Sequence, residues 1–112
     1  SCVDLLVVGS PTRGFRATEA VQCLLKYLAA NALAGVRVAA FDTRVDLATI
    51  KSRAFRFLVA KGGYAAKPIA KLMQKKGGKL AAPPEGFLVL GEKGPLKEGE
   101  LERAEAWARA LA

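Results

Sequence analysis

Residues 4–9 read DLLVVG and residues 10–18 read SPTRGFRAT, and the fold turns on how these two stretches join. The first is a nearly continuous apolar run. A strand buried on both faces, as in a parallel sheet, reads this way. Ser10 and Pro11 are expected to stop it, and a loop, PTRGFRA, follows with Gly14 as a tight turn. Thr18 suits a helix N-cap and Glu19 a first helical turn. Val21, Leu24, Leu25 and Leu28 then recur at helical spacing and predict one apolar face. The helix should fade near Asn31, with Gly35 in the turn before the next strand.

Working outward, VRVAAF at residues 36–41 is the second strand, and Asp42, Thr43 and Arg44 open a longer irregular stretch. Within it, residues 53–61 have Phe55, Leu58 and Val59 on one helical face, and Gly62 and Gly63 break that piece. Residues 65–76 form the next helix. Pro68 fits only in its first turn, where a missing N–H costs nothing. Ala66, Ile69, Ala70 and Met73 face the core, Lys67, Lys71 and Lys75 line the other side, and Gly77 caps the end. Residues 79–82 and 87–90 read as two strand pieces around Pro83 and Pro84. A last helix starts near Glu98 to Glu100 and runs to Leu111. Its apolar stripe is Leu101, Ala104, Ala108 and Leu111, with Trp107 beside it. The order is βαβαβα, which implies a parallel sheet with right-handed crossovers.

The chain has 112 residues, enough for one domain, and is 52% hydrophobic, enough for a core without disulfides or metals. No apolar run approaches the ~20 residues of a transmembrane helix. No signal peptide is visible, so a cytoplasmic location is expected. Strand-like sequence begins by Val3 behind Ser1, with almost no leader, which points to a truncated or proteolysed product. There is no His, which removes His-based acid–base chemistry and His metal sites. Cys2 and Cys23 form no CxxC and are expected to be unbridged, because a strand and part of a helix hold them beyond disulfide reach. No metal site and no catalytic residue are expected. The net charge of +8 favours anionic partners.

In an open parallel sheet, ligands bind beyond the carboxyl ends of the strands. Two loops leave such ends, GSPTRGFRAT and FDTRVDLAT, and both contain Thr-Arg. VVGSPTRGFRAT resembles the loop after the central strand of flavodoxins, one of two that grip the flavin ring. FDTR resembles the start of the second, and GFLVLGEKGPLKEGELERAEAWARAL resembles the last strand and helix of flavodoxin-like domains. The resemblance covers nearly the whole chain through loose motifs in the right order. It implies a three-layer α/β/α fold whose full sheet has the order 2-1-3-4-5, with this single partial domain, residues 1–112, supplying the third to fifth strands. It further implies FMN between the two loops. Ser10, Pro11, Thr12, Arg13, Gly14, Phe15 and Arg16 would line one side and Asp42, Thr43 and Arg44 the other.

The chain departs from the family in three ways. No Ser/Thr-rich phosphate loop precedes Asp4, so FMN binding by this chain is expected to be weak or absent. The loops offer only Phe15 where many flavodoxins place Trp or Tyr against the flavin. The chain is basic where most flavodoxins are acidic, so its redox partner is expected to be acidic. The function read this way is electron transfer by FMN, a carrier more than an enzyme. The alternative is a cofactor-free flavodoxin-like binding or regulatory module.

Blander readings stand beside these. Ser10, Pro11 and Gly14 can be a plain strand-to-helix turn. Arg13, Arg16 and Arg44 can be solvated charges, and Asp42 a turn residue or helix cap. A phospho-acceptor role for Asp42 would need further acidic residues after an earlier strand. Lys67, Lys71, Lys75, Lys76 and Lys79 read as a solvated face or as a docking surface for an acidic partner. No aromatics interleave with the basic residues, so no nucleic-acid partner is expected. Trp107 reads as packing. Finally, the strand from Asp4 to Gly9 would be an unprotected sheet edge, which predicts a homodimer through it.

Overall fold

Val38 and Ala40 are wholly buried on one strand, and so is Ala39 between them on the opposite face. Only a strand covered on both sides buries consecutive residues this way. In the structure, a computed structural model that describes residues 4–12, 17–45, 53–54, 64–91 and 95–111, that strand is the centre of the sheet. The elements are β1 (Leu5–Pro11), α1 (Glu19–Lys26), β2 (Arg37–Val45), α2 (Ala66–Lys75), β3 (Lys79–Leu80), β4 (Glu85–Val89) and α3 (Glu100–Leu111). The result is a mixed α/β fold with a parallel sheet. β1 flanks β2 on one side. On the other, β3 pairs with Arg37 and Val38, and β4 with Phe41 through Val45. β3 and β4 are thus two halves of one line, interrupted around Pro83 and Pro84, which lack the N–H a ladder needs.

One sheet face carries α1 and α2. Leu6, Val8, Val38 and Ala40 meet Leu25, Ile69, Ala70 and Met73 there. Burying each larger side chain contributes roughly 1.5–3 kcal/mol. The other face carries α3. Phe41, Phe87 and Trp107 form a triangle of edge-to-face rings with centroids 5.8–5.9 Å apart. The ring of Phe41 lies over Gly9 of β1 so closely that a Cβ there would fall inside it. Packing is therefore the role the structure gives Trp107.

Neither α1 nor α2 has a side-chain bond from its own N-cap residue, whereas the end of α2 follows the glycine rule. Thr18 is the N-cap of α1 with extended backbone, but its hydroxyl makes no cap bond. Its N–H instead donates to Ser10 Oγ at 3.0 Å. Gly77, at φ +100°, takes the left-handed turn past α2, and the N–H of Gly78 returns to Met73 O at 3.0 Å. Lys76 is half-buried, and its Nζ donates to Lys26 O and Leu28 O, so it ties the two helix ends together.

Five expectations are corrected. β1 does not stop at Ser10. In a parallel ladder, residues that bond one neighbour alternate with residues that face the other way. Arg37 N–H donates to Asp4 O and Thr12 N–H to Thr43 O, so Leu5, Val7, Gly9 and Pro11 face the outer edge. Pro11 can extend an edge strand because the N–H it lacks would have had no partner. β2 does not end at Phe41 but runs on to Val45, because β4 pairs with Phe41 through Val45. Leu24 is 61% exposed and Leu101 67%, so neither belongs to its helix's buried face. α1 ends at Lys26 rather than near Asn31; Val21 and Leu25 point it to the core, Leu28 packs there beyond its end, and Ala104, Trp107 and Leu111 point α3 inward.

Of the helix expected at residues 53–61, Arg53 and Ala54 are helical and the rest lies outside the described residues. Cys23 is an exposed free thiol, and Cys2 lies outside the described residues. No helix among the described residues is long and apolar enough to cross a membrane.

Candidate functional site at the carboxyl ends of the strands

Alternation along β2 decides what each polar residue can reach. Asp42 and Arg44 point to the α1/α2 face, whereas Phe41 and Thr43 point to the α3 face. Asp42 is fully buried. Its carboxylate takes Arg44 Nε and Nη2, each at 2.7 Å, and the N–H of Ala66 at the start of α2 at 2.8 Å. A buried charge is tolerable only when paired and hydrogen-bonded, and Asp42 is both. Its helix-capping reading is met in this geometry, and its carboxylate is spent within the protein.

Thr12, just past β1, completes the weld. Its N–H donates to Thr43 O at 2.9 Å, and its Oγ accepts the N–H of Ala65 at 3.1 Å. The end of β1, the end of β2 and the start of α2 are thereby held together. Ser10 is buried and equally committed, donating to Pro11 O at 2.9 Å and accepting from Thr18. Pro11 is exposed and Thr43 half-buried. Arg13, Gly14, Phe15 and Arg16 lie outside the described residues.

The groups left facing solvent form a cleft of about 330 Å³, lined by Arg44, Tyr64, Ala66, Lys67 and Pro84. The Arg44 guanidinium lies over the Tyr64 ring, 3.8 Å from its centroid, and packs so tightly over Gly86 that a side chain there would overlap it. The cleft therefore offers an aromatic ring, a cation held rigidly by Asp42, and the exposed Lys67. No carboxylate among the described residues lines it. Sequence reading found Arg44 and Asp42 but missed Tyr64, Lys67 and Pro84 as site residues. Tyr64 follows β2 by almost twenty residues, yet it sits two positions before the helix that Asp42 caps, which was the available signal.

The Ser10 hydroxyl meets, among the described residues, only Pro11 O and the Thr18 N–H, with no base beside it. Among the described residues no group of three His, Cys, Asp or Glu could hold a metal ion. On the opposite face lies a larger apolar groove of about 470 Å³ between β1 and α3, with Val7, Phe41, Phe87, Leu96 and Trp107 in its walls. No known family model matches the chain, and no curated protein matches it significantly.

Proposed function

We propose that the chain is the flavin-facing part of a flavodoxin-like electron-transfer domain, with FMN at the carboxyl ends of β1 and β2. The observation that carries the reading is the Arg44–Tyr64–Lys67 cleft, placed where an open parallel sheet binds its ligands. Its donor set fits a flat, anionic cofactor: one aromatic ring, two cations and, among the described residues, no competing carboxylate. FMN, when bound, supplies the redox chemistry. The protein binds and orients. Tyr64 gives the ring an apolar edge to rest on. Arg44, its fork fixed by Asp42, and Lys67 supply positive charge to the anionic parts of the cofactor. The Thr12 weld keeps the two loops at a set separation, and no side chain acts as acid or base. Ser10, Pro11, Arg13, Gly14, Phe15, Arg16 and Thr43 complete the two loops in this reading. A cytoplasmic setting belongs to it, since an exposed unpaired thiol at Cys23 suits a reducing compartment.

One observation favours the cofactor-free reading. A face of Tyr64 is already covered by Arg44, so stacking there must use the other face or displace the guanidinium. The two readings separate by visible absorbance of the purified protein and by quenching of FMN fluorescence on titration. Since this chain alone is expected to hold FMN weakly, the titration runs to high micromolar FMN: flavin bands, or quenching that Arg44→Ala and Lys67→Ala weaken, support the carrier. FMN fluorescence unchanged over that whole range supports the cofactor-free module, whereas a colourless preparation is expected of both.

A further inference from the structure

We propose that the outer face of α2 is a docking surface for an acidic protein. The three helices differ in how they spend their charges. α1 carries Glu19 in its first turn and Lys26 in its last. α3 carries Glu100 and Glu102 first and Arg109 last, with Glu105–Arg109 and Glu100–Arg103 paired along it. Both arrangements stabilise the helix that bears them. α2 follows them only at its last turn, where Lys75 suits the dipole. It has no acidic residue in its first turn, where Lys67 opposes the helix dipole. Lys67, Lys71 and Lys75 are all exposed and follow one another at intervals of four residues, about 6 Å of rise. Like charges at that spacing repel. None of the three pairs with a carboxylate among the described residues. A row whose members repel one another and whose first member opposes the dipole is explained by what it attracts.

The partner that matches is a protein helix with carboxylates at the same interval. The residues between the lysines, Pro68, Leu72 and Gln74, include neither an aromatic ring to stack a base nor an Arg to fork a phosphate, which disfavours nucleic acid. The net charge of +8 steers any anion towards the molecule, and the row then sets where it lands. Lys67 also lines the cleft, so a partner on the row reaches its mouth. The inference rests on α2 alone and is tested without cofactor.

The test uses the whole chain and a labelled helical peptide with Glu at three positions four apart, read by fluorescence anisotropy at low and physiological salt. A Gln version of the peptide and a single-stranded oligonucleotide serve as the other probes. One variant is Lys67→Ala, Lys71→Ala and Lys75→Ala together. The control is Lys26→Ala, Lys79→Ala and Arg109→Ala, which removes the same formal charge elsewhere. The row variant should melt no lower than the parent, since repulsion is removed and Ala favours helix. It should weaken the Glu peptide about tenfold, and the control no more than about twofold, because exposed charges act locally once screened. Equal losses in both variants would overturn the proposal. So would tighter binding of the oligonucleotide with the same dependence on the row, or an unchanged affinity for the Gln peptide.

Discussion

Asp42 and Arg44, two residues apart on β2, meet side by side in a bidentate ion pair, with both N···O distances 2.7 Å. The pair exists because alternate strand residues share a face and because the carboxylate is wholly buried while the guanidinium keeps 24% of its side chain in contact with solvent. Removing one partner strands the other. Asp42→Ala leaves Arg44 and the Ala66 N–H without their acceptor, and a loss of about 3 kcal/mol is expected, the lower end for broken buried pairs because Arg44 is part-exposed. Asp42→Asn keeps an acceptor for Ala66 and should lose less. Urea unfolding of the two variants checks the order, and an Ala variant as stable as the parent would remove Asp42 from its anchoring role.

Glu100 fastens α3 to the sheet and should make stability depend on pH in acid. Its carboxylate accepts from Arg103 Nε and Nη2 at 2.9 and 2.7 Å and from the Leu88 N–H at 2.6 Å. The Arg103 hydrogen bonds, then the Leu88 N–H, hold its pKa down from 4.5 to about 2 against the opposing effect of burial. The same contact, with Glu85, raises that of Arg103. A depressed carboxylate stabilises the fold above its unfolded pKa and ceases to do so as pH falls through the folded value. The contribution, up to about 3 kcal/mol from the shift, is thus complete near neutral pH and lost between about pH 4.5 and pH 2. Glu100→Gln should be less stable than the parent at pH 7 and converge with it near pH 2. Parallel curves across that window would sink the assignment.

What the sequence made legible was the apolar periodicity, and what it hid was the polar contacts. The run LLVV marks a strand, though one only half-buried with Val7 exposed, and the spacing of Val21, Leu25, Ile69 and Met73 marks helix faces by composition, so the strands, the helices and their order follow. Leu24 and Leu101 misled because a helix of two or three turns has too few apolar residues to fix its face to within one position. Asp42 and Arg44 looked like loop residues because burial of a charge depends on partners from another element, here the N–H of Ala66. Tyr64 was invisible as a site residue for the same reason: nothing local to it shows that Arg44 will lie across its ring.

Gly9 should tolerate no side chain. Phe41 occupies the space a Cβ would need, and its ring is held there by Phe87 and Trp107. Gly9→Ala is expected to cost about 1–3 kcal/mol through overpacking. Adding Phe41→Leu should return part of that loss, since the smaller side chain vacates the site, although the single Phe41→Leu variant is itself destabilised by lost ring packing. A double-mutant cycle read by denaturant unfolding, with Trp107 emission as the probe, measures the coupling. Additive effects of the two substitutions would show that the close approach has no energetic weight.

The outer edge of β1 is expected to pair with a second copy of the chain. Among the described residues β1 bonds only β2, so the N–H and C=O of Leu5, Val7 and Gly9 face outward. Val7 is 41% exposed although apolar, and no Lys or bulge protects the strand. About a two-fold axis the two strands must run antiparallel. With Val7 on the axis, Leu5 lies opposite Gly9 of the second copy, each of the three outward N–H groups meets a carbonyl, and a large side chain faces a small one. Pro11, without an N–H, stays outside that ladder. Each copy carries a net charge of +8, so the association should tighten as salt rises and screens the repulsion, the opposite of an ion-pair interface. Sedimentation equilibrium across a salt series is the measurement. A dimer that strengthens with salt and is lost on Val7→Lys, with thermal stability of the monomer unchanged, is the expected result. A chain that stays monomeric at high micromolar concentration and physiological salt would show that the edge is simply solvated.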